Sequence, residues 1–111
     1  MNKITFDTAK ELNQYIRIET ENYWYEFGNG EQKIIPRLPE GNNNIDYPAP
    51  TLEELLANSP IDLDIITSND LRSILIRYYY NNQEKDIEIN KFDSLVEAVA
   101  KIIIEYYKEK E

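Results

Sequence analysis

The stretch SLVEAVAKIIIEYYK, residues 94–108, decides how this chain folds. Its apolar residues recur at intervals of four, three and four, which is the spacing of one helix face: Leu95, Val99, Ile102 and Tyr106. Ser94 and Glu97 have the spacing of a capping box, a pattern that starts helices. The stretch therefore predicts a C-terminal helix over Ser94–Lys108, with Val99 and Ile102 among the most buried residues.

Three β-strands are predicted before that helix. Ile61–Ile65 alternates apolar residues with aspartate, Leu71–Tyr80 is rich in β-branched and aromatic residues, and in Asp86–Ile89 the residues Ile87 and Ile89 point to one side. Polar turns separate the strands at Ser68–Asp70 and Asn81–Lys85. Strands joined by such short turns pair antiparallel, so we expect a three-stranded meander covered by the C-terminal helix.

The N-terminal half predicts a helix, a short hairpin and a second helix. Apolar spacing indicates an amphipathic helix over Asp7–Arg17. Tyr23–Phe27 alternates like a strand, and Lys33–Ile35 can pair with it as a hairpin. The stretch Glu40–Pro50 is rich in asparagine and proline and predicts an exposed loop. A capping box that begins at Thr51 then starts the short helix LEELLANS.

These elements predict an α+β fold in a single domain over residues 1–111. That length is sufficient to bury one hydrophobic core without disulfides. The predicted loop at about residues 40–50 separates two sub-units, neither of which is large enough for a comfortable core of its own.

The chain contains neither histidine nor cysteine. Without them, Ser-His and Cys-His catalysis, zinc sites, haem ligation and disulfides are excluded. Carboxylate chemistry with a hard cation and tuned lysine or tyrosine chemistry remain, but we expect a binding protein that has no cofactor and is not an enzyme. The N-terminus lacks the apolar core of a signal peptide, and no apolar run is long enough to span a membrane, so we expect a cytoplasmic protein.

The formal net charge is −9, from 21 acidic and 12 basic residues. A field of this sign repels polyanions, so direct binding to nucleic acid is disfavoured. It favours a partner protein with a basic surface. Acidity also keeps small proteins soluble, which is the simpler explanation for most individual charges.

Four carboxylates are predicted on one face of the meander, two on each outer strand: Asp62, Asp64, Asp86 and Glu88. Arg72 or Arg77 on the central strand would lie between them. Three interpretations remain open: a Mg²⁺ or Ca²⁺ site, an acidic patch that binds a basic groove, or a solvated sheet face. Neighbouring strands spread carboxylates too far apart for most metal sites, so the last two interpretations are favoured over the first.

Aromatic residues supply a second candidate surface. In the run Tyr78-Tyr79-Tyr80, Tyr78 and Tyr80 share one strand face and Tyr79 takes the other, so one aromatic face is expected to be exposed. Tyrosine and tryptophan suit protein interfaces, and we predict Tyr78, Tyr80 and Trp24 as partner-binding residues. The alternative is that these rings only fill the seam between helix and sheet.

The segment YPAPTLEELL, which starts at Tyr47, the strands after it and the helix SLVEAVAKIIIEYYK resemble small phage proteins of the α/β/α-sandwich family. The closing helix of that family carries an acid–Ala–x–x–Ala–x–apolar pattern, which is similar to residues 97–102 here. The resemblance covers about the last 65 residues of the chain. It implies a phage or prophage origin and brings no catalytic residues. Small acidic phage proteins of this kind resemble inhibitors of host defence, such as anti-CRISPR proteins.

The function that we expect from these observations is non-enzymatic inhibition of a host defence protein. The partner would be a CRISPR effector or another nuclease, and the acidic, aromatic surface would dock on its basic, nucleic-acid-handling surface. One alternative is an accessory or structural phage domain that forms homo-oligomers. Another is a metal-dependent hydrolase built on the four carboxylates.

Overall fold

The computed structural model describes residues 3–67, 73–80, 82–90 and 94–110. Within these ranges the chain has three helices and six strands, in the order α1 (Phe6–Asn13), β1 (Asn22–Glu26), β2 (Gln32–Pro36), β3 (Ile45–Pro48), α2 (Leu52–Ala57), β4 (Leu63–Thr67), β5 (Ser73–Tyr80), β6 (Gln83–Asn90) and α3 (Leu95–Lys110). The strands form two three-stranded antiparallel sheets. The predicted α+β fold class is confirmed.

Helix α3 lies at the centre of the hydrophobic core. Six of its residues are buried: Val96, Val99, Ala100, Ile102, Ile103 and Ile104. Successive residues of a helix point about 100° apart, so burial of the consecutive residues 102–104 covers about 200° of its circumference. The helix is therefore packed on more than one side, and the predicted burial of Val99 and Ile102 is confirmed.

The predicted meander is present, with strand order β4-β5-β6 and antiparallel pairing throughout. Its last strand starts at Gln83, three residues before the predicted start at Asp86. Asn82 has a φ of 63°, a left-handed conformation that asparagine tolerates, and this allows a tight connection from β5. The predicted turn over Ser68–Asp70 lies outside the described residues.

The prediction of a loop over Glu40–Pro50 was wrong for its second half, where Ile45–Pro48 forms β3. This strand pairs with β1, so the predicted hairpin becomes a sheet of order β2-β1-β3. Because β3 is an edge strand, Pro48 removes no hydrogen bond from a central ladder. Tyr47 lies opposite Trp24, and its ring packs edge-on against Phe6 with ring centres 5.5 Å apart.

Strand β1 is covered on both faces. Trp24 packs towards the core, where its indole N–H donates a 2.8 Å hydrogen bond to the carbonyl oxygen of Ile4. Tyr23 and Tyr25, on the opposite face, are fully buried. The Tyr25 hydroxyl accepts a 2.7 Å hydrogen bond from the backbone N–H of Leu38, in the segment that follows β2. Much of the aromatic content of the chain therefore has a structural role.

The helices and β4 differ from their predicted bounds by a few residues. Helix α1 ends at Asn13 and not at Arg17, α2 ends at Ala57, and β4 begins at Leu63. The capping box of α2 is confirmed: the Thr51 side chain accepts from the N–H of Glu54, and the Glu54 carboxylate accepts from the N–H of Thr51.

The start of α3 is joined to the start of α1 by a partly buried carboxylate. Ser94 accepts a hydrogen bond from the N–H of Glu97, which is one of the two hydrogen bonds of the predicted capping box. The Glu97 carboxylate reaches across to α1, where it accepts hydrogen bonds from the Thr5 N–H at 2.9 Å, the Thr5 hydroxyl at 3.0 Å and the Thr8 hydroxyl at 2.6 Å. Burial alone would raise the pKa of Glu97, but these hydrogen bonds, first that from Thr8, outweigh it and lower the pKa below its ordinary value.

We predict that Glu97→Gln destabilises the fold by about 1–3 kcal/mol at about pH 7, because it removes a charged acceptor from three donors. A carboxyl whose pKa is lower in the folded state stabilises the fold above its unfolded-state pKa. That contribution is lost as the pH falls through the folded-state pKa. The variant should therefore lose less stability than the wild type between about pH 7 and about pH 3, as measured by urea denaturation.

The matched control is Glu53→Gln, which neutralises an exposed glutamate in the first turn of α2. If both variants show the same acid dependence, Glu97 does not join α1 to α3 as described.

Candidate protein-binding surface

The register of the meander brings the predicted acidic residues onto one sheet face. Asp64, Arg77 and Asp86 lie directly opposite one another across β4, β5 and β6. Directly opposed residues of antiparallel strands point to the same side of the sheet. Glu88 lies two residues beyond Asp86 on that side, and the exposed Asp62 lies two residues before Asp64, just ahead of β4. We call this side the outer face, because the opposite side packs against α3.

Arg77 is the central cation of the outer face. Its Nε atom is 3.0 Å from a carboxylate oxygen of Asp86 and 3.0 Å from one of Glu84. The hydrogen bond to Asp86, together with the charges of Asp86 and Glu84, raises the pKa of Arg77. The arginine therefore stays charged and separates the carboxylates of the two outer strands. Of the two arginines predicted for this position, Arg72 lies outside the described residues.

Tyr79 is an exposed tyrosine of the meander, with 52% of its surface accessible. Its hydroxyl donates a 3.2 Å hydrogen bond to Glu84. That hydrogen bond and the charge of Glu84 raise the pKa of Tyr79, so the phenol stays protonated and acts as a donor. Because the hydroxyl is held by Glu84 and the ring is exposed, Tyr79 offers an ordered aromatic surface beside the acids.

Two aliphatic residues complete the outer face. Ile66 and Leu75 are directly opposed on β4 and β5, and Leu75 is also opposite Glu88 on β6. Ile66 is 40% exposed, and Leu75 is partly exposed. The described outer face therefore combines five carboxylates and one guanidinium with apolar groups: Asp62, Asp64, Glu84, Asp86 and Glu88 around Arg77, with Ile66, Leu75 and Tyr79.

Two of the predicted aromatic residues, Tyr78 and Trp24, lie away from the outer face. Tyr78 is on the opposite side of β5, where it is partly buried and packs with the core, so the exposed aromatic face is that of Tyr79, and a role of Tyr78 in partner binding stays a prediction. Its inward direction follows from alternation with Ile74 and Ile76, which point the same way. The side chain of Tyr80 lies outside the described residues. Trp24 lies in the other sheet, where it is half-buried against Phe6 of α1, and it does not adjoin the outer face.

Sequence reasoning missed Glu84 and Tyr79 as members of this surface. Glu84 was assigned to a turn, although β6 already begins at Gln83. The predicted partner-binding residues include Tyr78 and Tyr80 but not Tyr79. Arg77 could have indicated that Tyr79 is exposed. A charged residue usually lies on the solvent side of a strand, and Tyr79, two residues after Arg77, lies on the same side.

The outer face does not have the geometry of a cation site. Among the residues that the structure describes, no three acidic side chains are close enough together to hold a metal ion. Arg77 occupies the position between Asp64 and Asp86, where a bridging cation would have to bind. The arrangement is suited to contact with a basic, partly apolar surface.

No family model matches the chain, and no curated protein or solved structure is similar enough to count as a match. Over the described part of the chain, none of the helices has the length and apolar character needed to cross a membrane.

We predict that Arg77→Met makes stability depend more strongly on salt than it does in the wild type. The substitution leaves Glu84 and Asp86 without their shared cation, so carboxylate repulsion should destabilise the sheet, and only slightly because solvent screens these exposed groups. Urea midpoints at about 10 mM and about 1 M NaCl measure the effect, which should shrink at high salt.

Lys33→Met is the control, because Lys33 forms one exposed ion pair with Glu31 near the β1–β2 turn. An equal salt response in the two variants would contradict the central role of Arg77.

Proposed function

We propose that this chain is a non-enzymatic phage or prophage protein that binds a host defence protein and inhibits it. Its binding site is the outer face, and its partner is a nuclease, such as a CRISPR effector, that presents a basic, nucleic-acid-handling surface. The protein acts in the cytoplasm of the bacterial host. The observation that carries this proposal is the set of carboxylates that surrounds Tyr79 and Ile66 on one exposed sheet face.

Charge complementarity supports a basic partner. The net charge of −9 attracts a cationic protein over long range and raises the rate of encounter. Close to the surface, the rows of carboxylates can pair with arginine or lysine side chains. The apolar groups add contact area that loses its water on binding. Hot spots of interfaces are usually desolvated aromatic or aliphatic anchors of this kind.

Inhibition follows from competition for one surface. A nuclease holds the phosphate backbone with clustered lysine and arginine, and most of its affinity comes from those contacts. An acidic protein bound to the same cluster prevents nucleic acid from reaching it. The resemblance of residues 47–108 to small phage proteins supports the choice of a host defence nuclease as the partner.

The alternative of a homo-oligomeric accessory phage domain is weaker at this surface. Two outer faces brought together would oppose carboxylates to carboxylates, which destabilises sheet pairs. Self-association would have to use other exposed apolar residues, of which Ile45 and Leu56 are candidates. A hydrolase is disfavoured by Arg77, which lies between the opposed carboxylates.

The test is capture of the partner from a nuclease-treated host lysate, followed by kinetics with the purified partner. Two double variants reverse charges on the outer face, Asp62→Lys with Asp64→Lys and Asp86→Lys with Glu88→Lys. Each should slow association roughly tenfold or more at low salt and flatten its salt dependence. Circular dichroism checks that the variants are folded.

The control reverses two exposed acids outside the meander, Glu21→Lys with Glu40→Lys. It changes the net charge equally, so it measures the general effect of charge. Equal slowing by all three double variants would show that the outer face is not the binding site. A captured partner that still cleaves nucleic acid when saturated would contradict inhibition.

A further inference from the structure

Strand β6 is an edge of the meander, and its two sides have opposite chemistry. Its neighbour is β5, and no strand among the described residues pairs with its other edge. On the outer face β6 presents Glu84, Asp86 and Glu88. On the inner face it presents Lys85, Ile87 and Ile89, and the two isoleucines are only partly buried. The edge therefore offers a template for another strand.

A cavity of about 460 Å³ lies beneath this edge, between the inner face of the meander and α3. Its volume is within the range of sites that bury small ligands, about 300–1,000 Å³. Its walls are largely apolar and include Tyr78, Ile87, Ile89, Ala98 and Ile102. Glu97, Lys101 and Glu105 also line it, and the high exposure of Lys101 and Glu105 places these two at its mouth.

We infer that the partner adds a strand to the free edge of β6, through an extended segment in which basic and apolar residues alternate. Residues opposite Asp86 and Glu88 would point to the outer face, where basic side chains pair with the carboxylates. Residues opposite Ile87 and Ile89 would point to the inner face and enter the cavity. Main-chain hydrogen bonds to β6 supply affinity, and the alternation supplies specificity.

Charge and register select this occupant over a second copy of the chain. If two copies paired antiparallel through β6, their outer faces would lie on the same side of the joint sheet, so acid would lie opposite acid wherever residues 84–88 of the two copies overlap. A basic-apolar segment has the complementary pattern on both faces. The inference rests on the proposed function, since it names the kind of segment through which the basic partner is bound.

The experiment uses a synthetic peptide of about nine residues in which lysine alternates with valine, a length that matches a typical strand. The comparison peptide has the same composition, with its lysines and valines in two blocks. A third peptide carries N-methyl groups on alternate residues, which removes donors of the ladder and keeps charge and side chains. Binding and amide hydrogen exchange are followed by NMR on the intact protein.

The alternating peptide should bind roughly tenfold more tightly than either of the other two. Every second amide of β6 points away from β5, and these amides should exchange more slowly when the peptide is bound. Equal binding of the three peptides, or unchanged exchange along β6, would overturn strand addition. Dimerisation in sedimentation runs of the free protein, with protection of the same amides, would show that the edge serves a second copy.

Two protein variants separate this inference from the proposed function. Ala98→Leu fills part of the cavity and should weaken the alternating peptide roughly tenfold, whereas Ala57→Leu, at an exposed helical position, should not. Thermal denaturation checks that both variants are folded. If Asp86→Lys with Glu88→Lys abolishes binding while Ala98→Leu binds like the control, the acidic surface is supported and strand addition is wrong. If neither variant changes binding, both proposals fail.

Discussion

Burial of helix α3 is the constraint on which the rest of the structure depends. Its apolar circumference is too wide for one partner element, so the N-terminal elements and the meander both pack with it. The Glu97 carboxylate joins its first turn to α1, which sets the relative position of the two helices. A domain of this size has room for one hydrophobic core. Both sheets contribute residues to that core, and they meet at α3.

The position of α3 also determines which residues are available for binding. Because the helix covers one side of the meander, alternation directs Ile76, Tyr78 and Ile87 inward and leaves the carboxylates on the outer face. Because the carboxylates there are exposed, they contribute little to stability. They can therefore be substituted in ways that change partner binding without unfolding the domain. Where the helix and β6 diverge, the apolar inner side remains open as a cavity beside a free strand edge.

Periodicity predicted the elements in which apolar residues recur at a regular interval. The spacing in α3 and the alternation in the meander each point to one face, so the fold class and the shared face of Asp64, Asp86 and Glu88 were predictable. Strand β3 was not, because its pairing depends on contacts of Tyr47 with Trp24 and Phe6 that are distant in sequence. Glu84 belongs to the outer face because the backbone conformation of Asn82 lets β6 begin at Gln83. The side chain of Tyr78 points to the inner side of the meander because its strand is in register with buried neighbours.

The most direct test of this account is amide hydrogen exchange of the Ile102→Ala variant, with Tyr25 and Ile76 as reporters. Both amides lie in central strands, one in each sheet, and Ile102 is 3% exposed in the core. Loss of such a side chain costs about 2–5 kcal/mol. If α3 provides one core for both sheets, protection at the two reporters should fall by the same free energy. A fall at Ile76 alone, with Tyr25 unchanged, would show that the sheets unfold independently and would contradict the central claim.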